Sequence, residues 1–140
     1  MNRIRIFSFL VMTLLLSLNF VGCSKVQIVL PNEANLESIV LSKSTDKNNT
    51  LITINGNKEF KNIIHSIKSN SKKTNKESIN DIPTNVDYYI KLEFLHAKGE
   101  SSVAYLYKTK DKCYIEQPYS GIWEITQESY DNIDILIKDK

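Results

Sequence analysis

From Val86 to Phe94 the chain alternates without a break: Val86, Tyr88, Ile90, Leu92 and Phe94 are apolar, with Asp87, Tyr89, Lys91 and Glu93 between them. A two-residue repeat puts all five apolar side chains on one side only if the run is a β-strand, with the second face wetter. Three shorter runs follow. Ser101–Lys108 comes after an Ala97-Lys98-Gly99 turn, Cys113–Gln117 after Thr109-Lys110-Asp111-Lys112, and Ile122–Ile125 after Pro118 to Gly121. Connections this short join antiparallel neighbours, so the four runs describe a meander.

Upstream, Val26–Leu30, stopped by Pro31, and Leu36–Leu41, with a one-place irregularity at Ser38, read as two further strands. Ser42 to Asn49 is a polar turn, and Thr50–Ile54 a β-rich run ending at Asn55-Gly56. From Asn57 the repeat changes: Phe60, Ile63, Ile64 and Ile67 stand at i, i+3, i+4 and i+7 and share one stripe of a helix reaching about Ser69. Asn57 is its expected N-cap, and Glu59 suits the positive end of the dipole. Asn70 to Asn85 is polar and reads as a long loop. Thr126 is placed to cap a last helix whose Tyr130, Ile133, Leu136 and Ile137 occupy one arc, with Lys138 and Lys140 at its negative end. Two apolar helical stripes need a surface to cover, and the apolar face of the sheet supplies one. The expected fold is a two-layer α+β domain, an antiparallel meander packed by two helices.

The first 22 residues do not fit that domain. Arg3 and Arg5 precede an apolar run from Ile6 to Leu18, and Gly22 precedes Cys23, which is the layout of an export signal. The apolar run is short for a permanent membrane span. Phe20-Val21-Gly22-Cys23 resembles a bacterial lipobox, with Phe20 where Leu is usual. The resemblance implies cleavage before Cys23, a diacylglyceryl thioether on its sulfur, and a domain held on the outer face of a membrane. Residues 1–22 are thus expected to be a signal peptide, 23–25 a lipid-anchored N-terminus, and 26–140 a single domain.

Composition narrows the function classes. Arg3 and Arg5 account for the formal charge of +2, and the lysines that follow balance the 16 acidic residues. Without guanidinium groups or excess positive charge, the domain lacks the usual means of gripping a phosphate backbone, so nucleic acid is not an expected partner. Two Cys and two His fall short of the four donors of a structural zinc site, and no P-loop, nucleophile elbow or dinucleotide fingerprint occurs; no metal, cofactor or catalytic residue is expected. His65 falls opposite the apolar stripe and His96 lies before the Gly99 turn; both read as solvated. With Cys23 acylated, Cys113 has no disulfide partner and reads as a small buried hydrophobe.

The densest constellation is Tyr114-Ile115-Glu116-Gln117-Pro118-Tyr119-Ser120-Gly121-Ile122-Trp123. Period two puts Tyr114 and Glu116 on one face and Cys113, Ile115 and Gln117 on the other. Pro118 presets a turn that Gly121 leaves. Together with Ser78-Ile79-Asn80-Asp81-Ile82-Pro83, this segment resembles a family of small uncharacterised Gram-positive lipoproteins, DUF5301. Glu116-Gln117-Pro118-Tyr119 followed by Gly121-Ile122 is the most specific part, and Trp123 stands where the family usually has Tyr. The resemblance runs from about Val26 to the C-terminal helix. It implies an extracytoplasmic lipoprotein domain and brings no activity with it.

Ser78, Asn80, Asp81, Tyr114, Glu116, Gln117, Tyr119 and Trp123 are therefore the candidate binding residues, with rings for stacking and a carboxylate as a polar end. The expectation is a membrane-anchored, non-enzymatic binding or interaction domain whose partner is an envelope protein, a peptide or a cell-wall ligand. One alternative is a wall-directed hydrolase using Asp81 and Glu116 as an acid and base pair. Another is an immunity or accessory lipoprotein that intercepts a peptide toxin or modulates a membrane partner. A local turn closed by Ser78 or Asn80 is the plain account of the first motif, and Lys72, Lys73 and Lys76 read as a solvated loop that could touch anionic lipid or teichoic polymers.

Overall fold

The computed structural model describes residues 26–44 and 51–138. The expected signal peptide, Cys23, most of the turn from Ser42 to Asn49, and Lys140 lie outside the described residues. The elements are β1 (Leu36–Lys43), β2 (Ile52–Ile54), α1 (Asn57–Ser69), β3 (Ser71–Lys73), β4 (Tyr89–His96), β5 (Ser101–Thr109), β6 (Lys112–Gln117), β7 (Gly121–Ile125) and α2 (Gln127–Lys138). The strands form one antiparallel sheet of seven in the order β2-β1-β4-β5-β6-β7-β3. The meander of four is its centre. The α+β architecture follows: one sheet face is packed by the two helices.

On the helix side lie Ile39, Leu41, Ile90, Leu92, Leu106 and Ile115, all fully buried. Against them α1 lays Phe60, Ile63, Ile64 and Ile67, the stripe its spacing requires. Asn57 is not the N-cap of α1: Phe60 N donates to Gly56 O at 3.1 Å, so Gly56 holds the cap position at φ 116 and Asn57 is the first helical residue. Thr126 does cap α2, with Ser129 N donating to its Oγ1 at 3.3 Å. In α2, Tyr130 and Ile133 are buried as the arc demands, but Leu136 is exposed and Asp134 is buried. Lys43 Nζ, at the end of β1, stands 2.9 Å from Asp134 Oδ1, and Lys138 Nζ stands 2.6 Å from Oδ2, so an ion pair draws that carboxylate against the sheet.

Three further departures have backbone causes. The expected strand Val26–Leu30 is irregular, because it crosses the helix side of the sheet and its carbonyls bond to side chains instead of a ladder. Ser71–Lys73, read as loop, is an edge strand on β7, a pairing that its polar side chains do not announce. The strand expected from Val86 begins at Tyr89, since the ladder to β1 ends at the Lys43–Ile90 pair and Asn85 turns the chain at φ 59. The irregularity expected at Ser38 is a register shift between Leu36 and Ser38 against β4.

Candidate functional site

The second sheet face carries Tyr89, Tyr105, Tyr107, Tyr114, Glu116 and Ile122, and Lys76, Ser78 and Val86 of the preceding segment lie against part of it. Tyr107, Tyr114 and Ile122 form a small second core with Val86 and Tyr89. Tyr105 and Tyr89 meet edge to face at 5.1 Å, and Tyr107 and Tyr114 lie tilted at 5.7 Å. Lys76 Nζ caps the Tyr114 ring at 4.5 Å. The ring bodies supply burial while their hydroxyls reach polar partners, which is how tyrosine differs from phenylalanine in such a layer.

Glu116 is the polar centre of this layer. It is 5% exposed, and Ser78 Oγ donates to its Oε1 at 2.6 Å while the Tyr107 hydroxyl donates to Oε2 at 3.1 Å. Both donors are themselves buried, so each of the three groups requires the others. Burial pushes the Tyr107 hydroxyl well above the ordinary tyrosine value, and the neighbouring Glu116 carboxylate pushes it further, since a second negative charge there is repelled. Ser78 therefore reaches across to another segment; no local turn bond of its side chain is found.

A second bond joins the same two segments. The Tyr119 hydroxyl donates to Asp81 Oδ1 at 2.8 Å, and this pair is open to water. Its hydroxyl is held above the ordinary tyrosine value, first by that bond. Tyr119 follows Pro118 in a turn closed by Ser120 N donating to Gln117 O at 3.0 Å, and it stands at φ 60. Positive φ at this place of a turn is normally left to Gly or Asn, because an L side chain crowds the following carbonyl. The two motifs, almost forty residues apart, are thus one site. Beside their junction lie two adjoining clefts of about 370 and 280 Å³. Lys76, Glu77 and Ile79 line both; Tyr119 and Ser120 line the first, Asn80 and Glu116 the second.

The other candidates sit elsewhere. Trp123 is 2% exposed on the helix side, with its indole N–H donating to Val26 O at 3.1 Å. Gln117 also turns to that side, where Nε2 donates to Val29 O at 2.8 Å. Both hold down the irregular N-terminal segment. Tyr114 is buried under Lys76, and Asn80 is exposed at the rim. Sequence reasoning passed over Tyr107 and read Lys73 only as part of a solvated loop. The clue was present for Tyr107, which alternation places on the face of Glu116. Lys73 offered none: its Nζ donates to Ser120 O at 2.9 Å and lies 4.6 Å over the Trp123 ring. Gly121, at φ 144, leaves room for that lysine, since a Cβ there would meet its Nζ at 2.8 Å.

Cys113 is buried, its Sγ donates to Gln127 Oε1 at 3.2 Å, and burial raises its pKa, all of which disfavour the thiolate. His65 is exposed, with the Ser69 hydroxyl 3.3 Å from its Nε2, and His96 is half-buried at the end of β4 beside Ser102. Among the described residues no three of His, Cys, Asp and Glu gather closely enough to hold a metal ion, and no helix is long and apolar enough to cross a membrane. A further concavity lies away from the joined motifs. It is a groove of about 690 Å³ between β2, α1 and α2, and Glu59 is its one ionisable lining residue, so it offers apolar burial with little chemistry.

Fold and site together define a small two-layer α+β domain in which an irregular segment is bonded to a sheet corner, with a strained, exposed tyrosine at the junction. This chain belongs to the DUF5301 family, described as "Domain of unknown function (DUF5300)", whose profile matches residues 24–124. That match holds both motifs and ends just before α2. No curated protein and no solved structure matches the chain.

Proposed function

We propose that the protein is a lipoprotein anchored through Cys23 on the extracytoplasmic face of a membrane, and that its domain binds a partner and catalyses no reaction. The observation that carries the binding reading is Tyr119. A bulky side chain in the left-handed region costs roughly 1–2 kcal/mol, and here it presents a ring that is 67% exposed beside two clefts. Strain retained at an exposed residue points to use of that residue, because packing does not require it.

Support for binding over hydrolysis comes from Glu116. Both of its oxygens already accept hydroxyl bonds, and the residue is buried within the tyrosine layer, whereas an acid and base pair needs carboxylates presented to a substrate. The anchor rests on the order of charge, apolar run, Gly22 and Cys23 in the sequence.

Two measurements test this. Labelled palmitate should enter the wild-type protein in cells and not Cys23→Ala; equal labelling removes the anchor. A photo-crosslinking side chain at position 119 should give an adduct in whole cells that the same group at Asp111, in the turn between β5 and β6, does not. Equal yields at both positions remove the site.

A further inference from the structure

We propose that the surface around the Gln117–Gly121 turn docks on an anionic lipid bilayer. The inference rests on the Cys23 anchor and names the ligand class of the site described above.

Three observations carry it. The first is where the apolar surface lies. Val29 is 81% exposed, Ile79 69% and Tyr119 67%, and Val26 and Ile82 are also exposed. All five surround this one turn. Val29 O holds the Gln117 side chain and Val26 O the Trp123 indole, while Ile79 and Tyr119 line one cleft and Ile82 follows the Asp81 that Tyr119 binds. Scattered single apolar residues are ordinary, but several gathered at one corner mark a contact surface. Tyrosine and branched aliphatic side chains suit the boundary between headgroups and acyl chains.

The second observation is the length of the tether. Only Ser24 and Lys25 separate Cys23 from Val26. Three residue steps reach at most about 11 Å, which is comparable to the headgroup layer on one side of a bilayer. Acyl chains on Cys23 would therefore hold Val26 against the membrane whatever the conformation between them. Val26 is bonded to this corner, so the corner goes with it.

The third is charge. Lys73 and Lys76 line the first cleft, where Glu77 is the one acidic lining residue. Lys73 Nζ rests over the Trp123 ring and Lys76 Nζ over the Tyr114 ring, from the two sides of the sheet, and both residues remain exposed, so two ammonium groups are held at this corner within reach of lipid phosphates.

The test uses the mature acylated protein in vesicles of phosphatidylglycerol and phosphatidylcholine. Spin labels are placed at Val29→Cys, Ile79→Cys and, as a control, Asp111→Cys; the buried Cys113 thiol stays unlabelled. Labels at 29 and 79 should lose access to an aqueous nickel chelate and gain access to oxygen, the label at 111 should do neither, and molar salt should weaken the effect. If the protein floats with the vesicles while all three labels remain equally aqueous, docking is overturned and the anchor stands. If the mature protein carries no added acyl mass, both fall. Equal shielding in pure phosphatidylcholine overturns the anionic bilayer as the partner. A protein adduct from position 119 in cells, with no lipid adduct, does the same while leaving a binding domain in place.

Discussion

Tyr119 combines a backbone cost with an exposed ring. Its φ of 60 disfavours any L side chain, and its side-chain bond to Asp81 is exposed to water and offsets little of that cost. Tyr119→Phe should lose that bond and keep the strain, whereas Tyr119→Gly loses the whole side chain and the strain with it. Urea denaturation should find the glycine variant at least as stable as the phenylalanine variant. The reverse order would mean that the ring packs as structure. Glu116 is the opposite case. Glu116→Ala strands the Ser78 and Tyr107 hydroxyls in a buried layer and should cost about 2–4 kcal/mol by the same assay, while Glu116→Gln keeps an acceptor and should cost about half as much. Burial also raises the hydroxyl pKa values of Tyr107 and Tyr130. A raised folded value gives stability that is complete below the unfolded tyrosine value, about 10, and lost as pH climbs above it. Ultraviolet titration of tyrosinate should therefore show a late-titrating group that appears with unfolding, and Tyr107→Phe should remove part of it. Both residues were visible in the sequence as chemistry-bearing types. Their partnership was not, because Ser78 and Glu116 are brought within 2.6 Å by chain paths that no local pattern encodes.

Elements were legible where one face is buried and obscure where it is not. The four isoleucine and phenylalanine positions of α1 define both its span and its buried stripe, since only a 3.6-residue repeat aligns them. Its cap was misplaced by one residue because a glycine at positive φ can hold that position without a side-chain bond. In α2 the apolar arc was right for Tyr130 and Ile133 and wrong for Leu136, which lies at the open groove. Asp134, polar by type, is drawn in by Lys43 and Lys138. Burial opposes its ionisation, but the two ammonium groups outweigh it and hold the carboxyl below the ordinary aspartate range. A lowered folded value gives stability that is present above the unfolded value, about 4, and lost as pH falls below it. Asp134→Asn should thus remove about 1 kcal/mol at neutral pH, a small figure because Lys138 is largely in water, and should flatten the stability curve below pH 4 in urea titrations. An unchanged acid slope would locate the acid sensitivity elsewhere.

At the scale of the whole molecule the least regular segment has a central part. Residues 26–30 form no strand, yet Ile28 is 2% exposed and Leu30 5%, and the side chains of Trp123 and Gln117 bond to the backbone beside them. Ile28→Ala should cost about 2–4 kcal/mol, read as a lowered urea midpoint, a loss expected of a core residue and not of a linker. Little change would mean that the segment lies on the sheet without supporting it, which would also free the tether. The sequence by itself determined the meander, the two amphipathic helices and their two-layer class, because alternation and helical spacing are local statements about which side of an element avoids water. It also determined the family, through the two motifs. Tertiary structure alone decided that those motifs meet, that the Trp123 and Gln117 side chains bond to the backbone of the N-terminal segment, that Ser71–Lys73 closes the far edge of the sheet, and that Val26, Val29, Ile79, Ile82 and Tyr119 are exposed where that segment joins the corner. The physical reason is that these contacts join residues far apart in the chain, held by bonds whose partners are chosen by where the sheet brings them, and a periodic pattern carries no record of that distance.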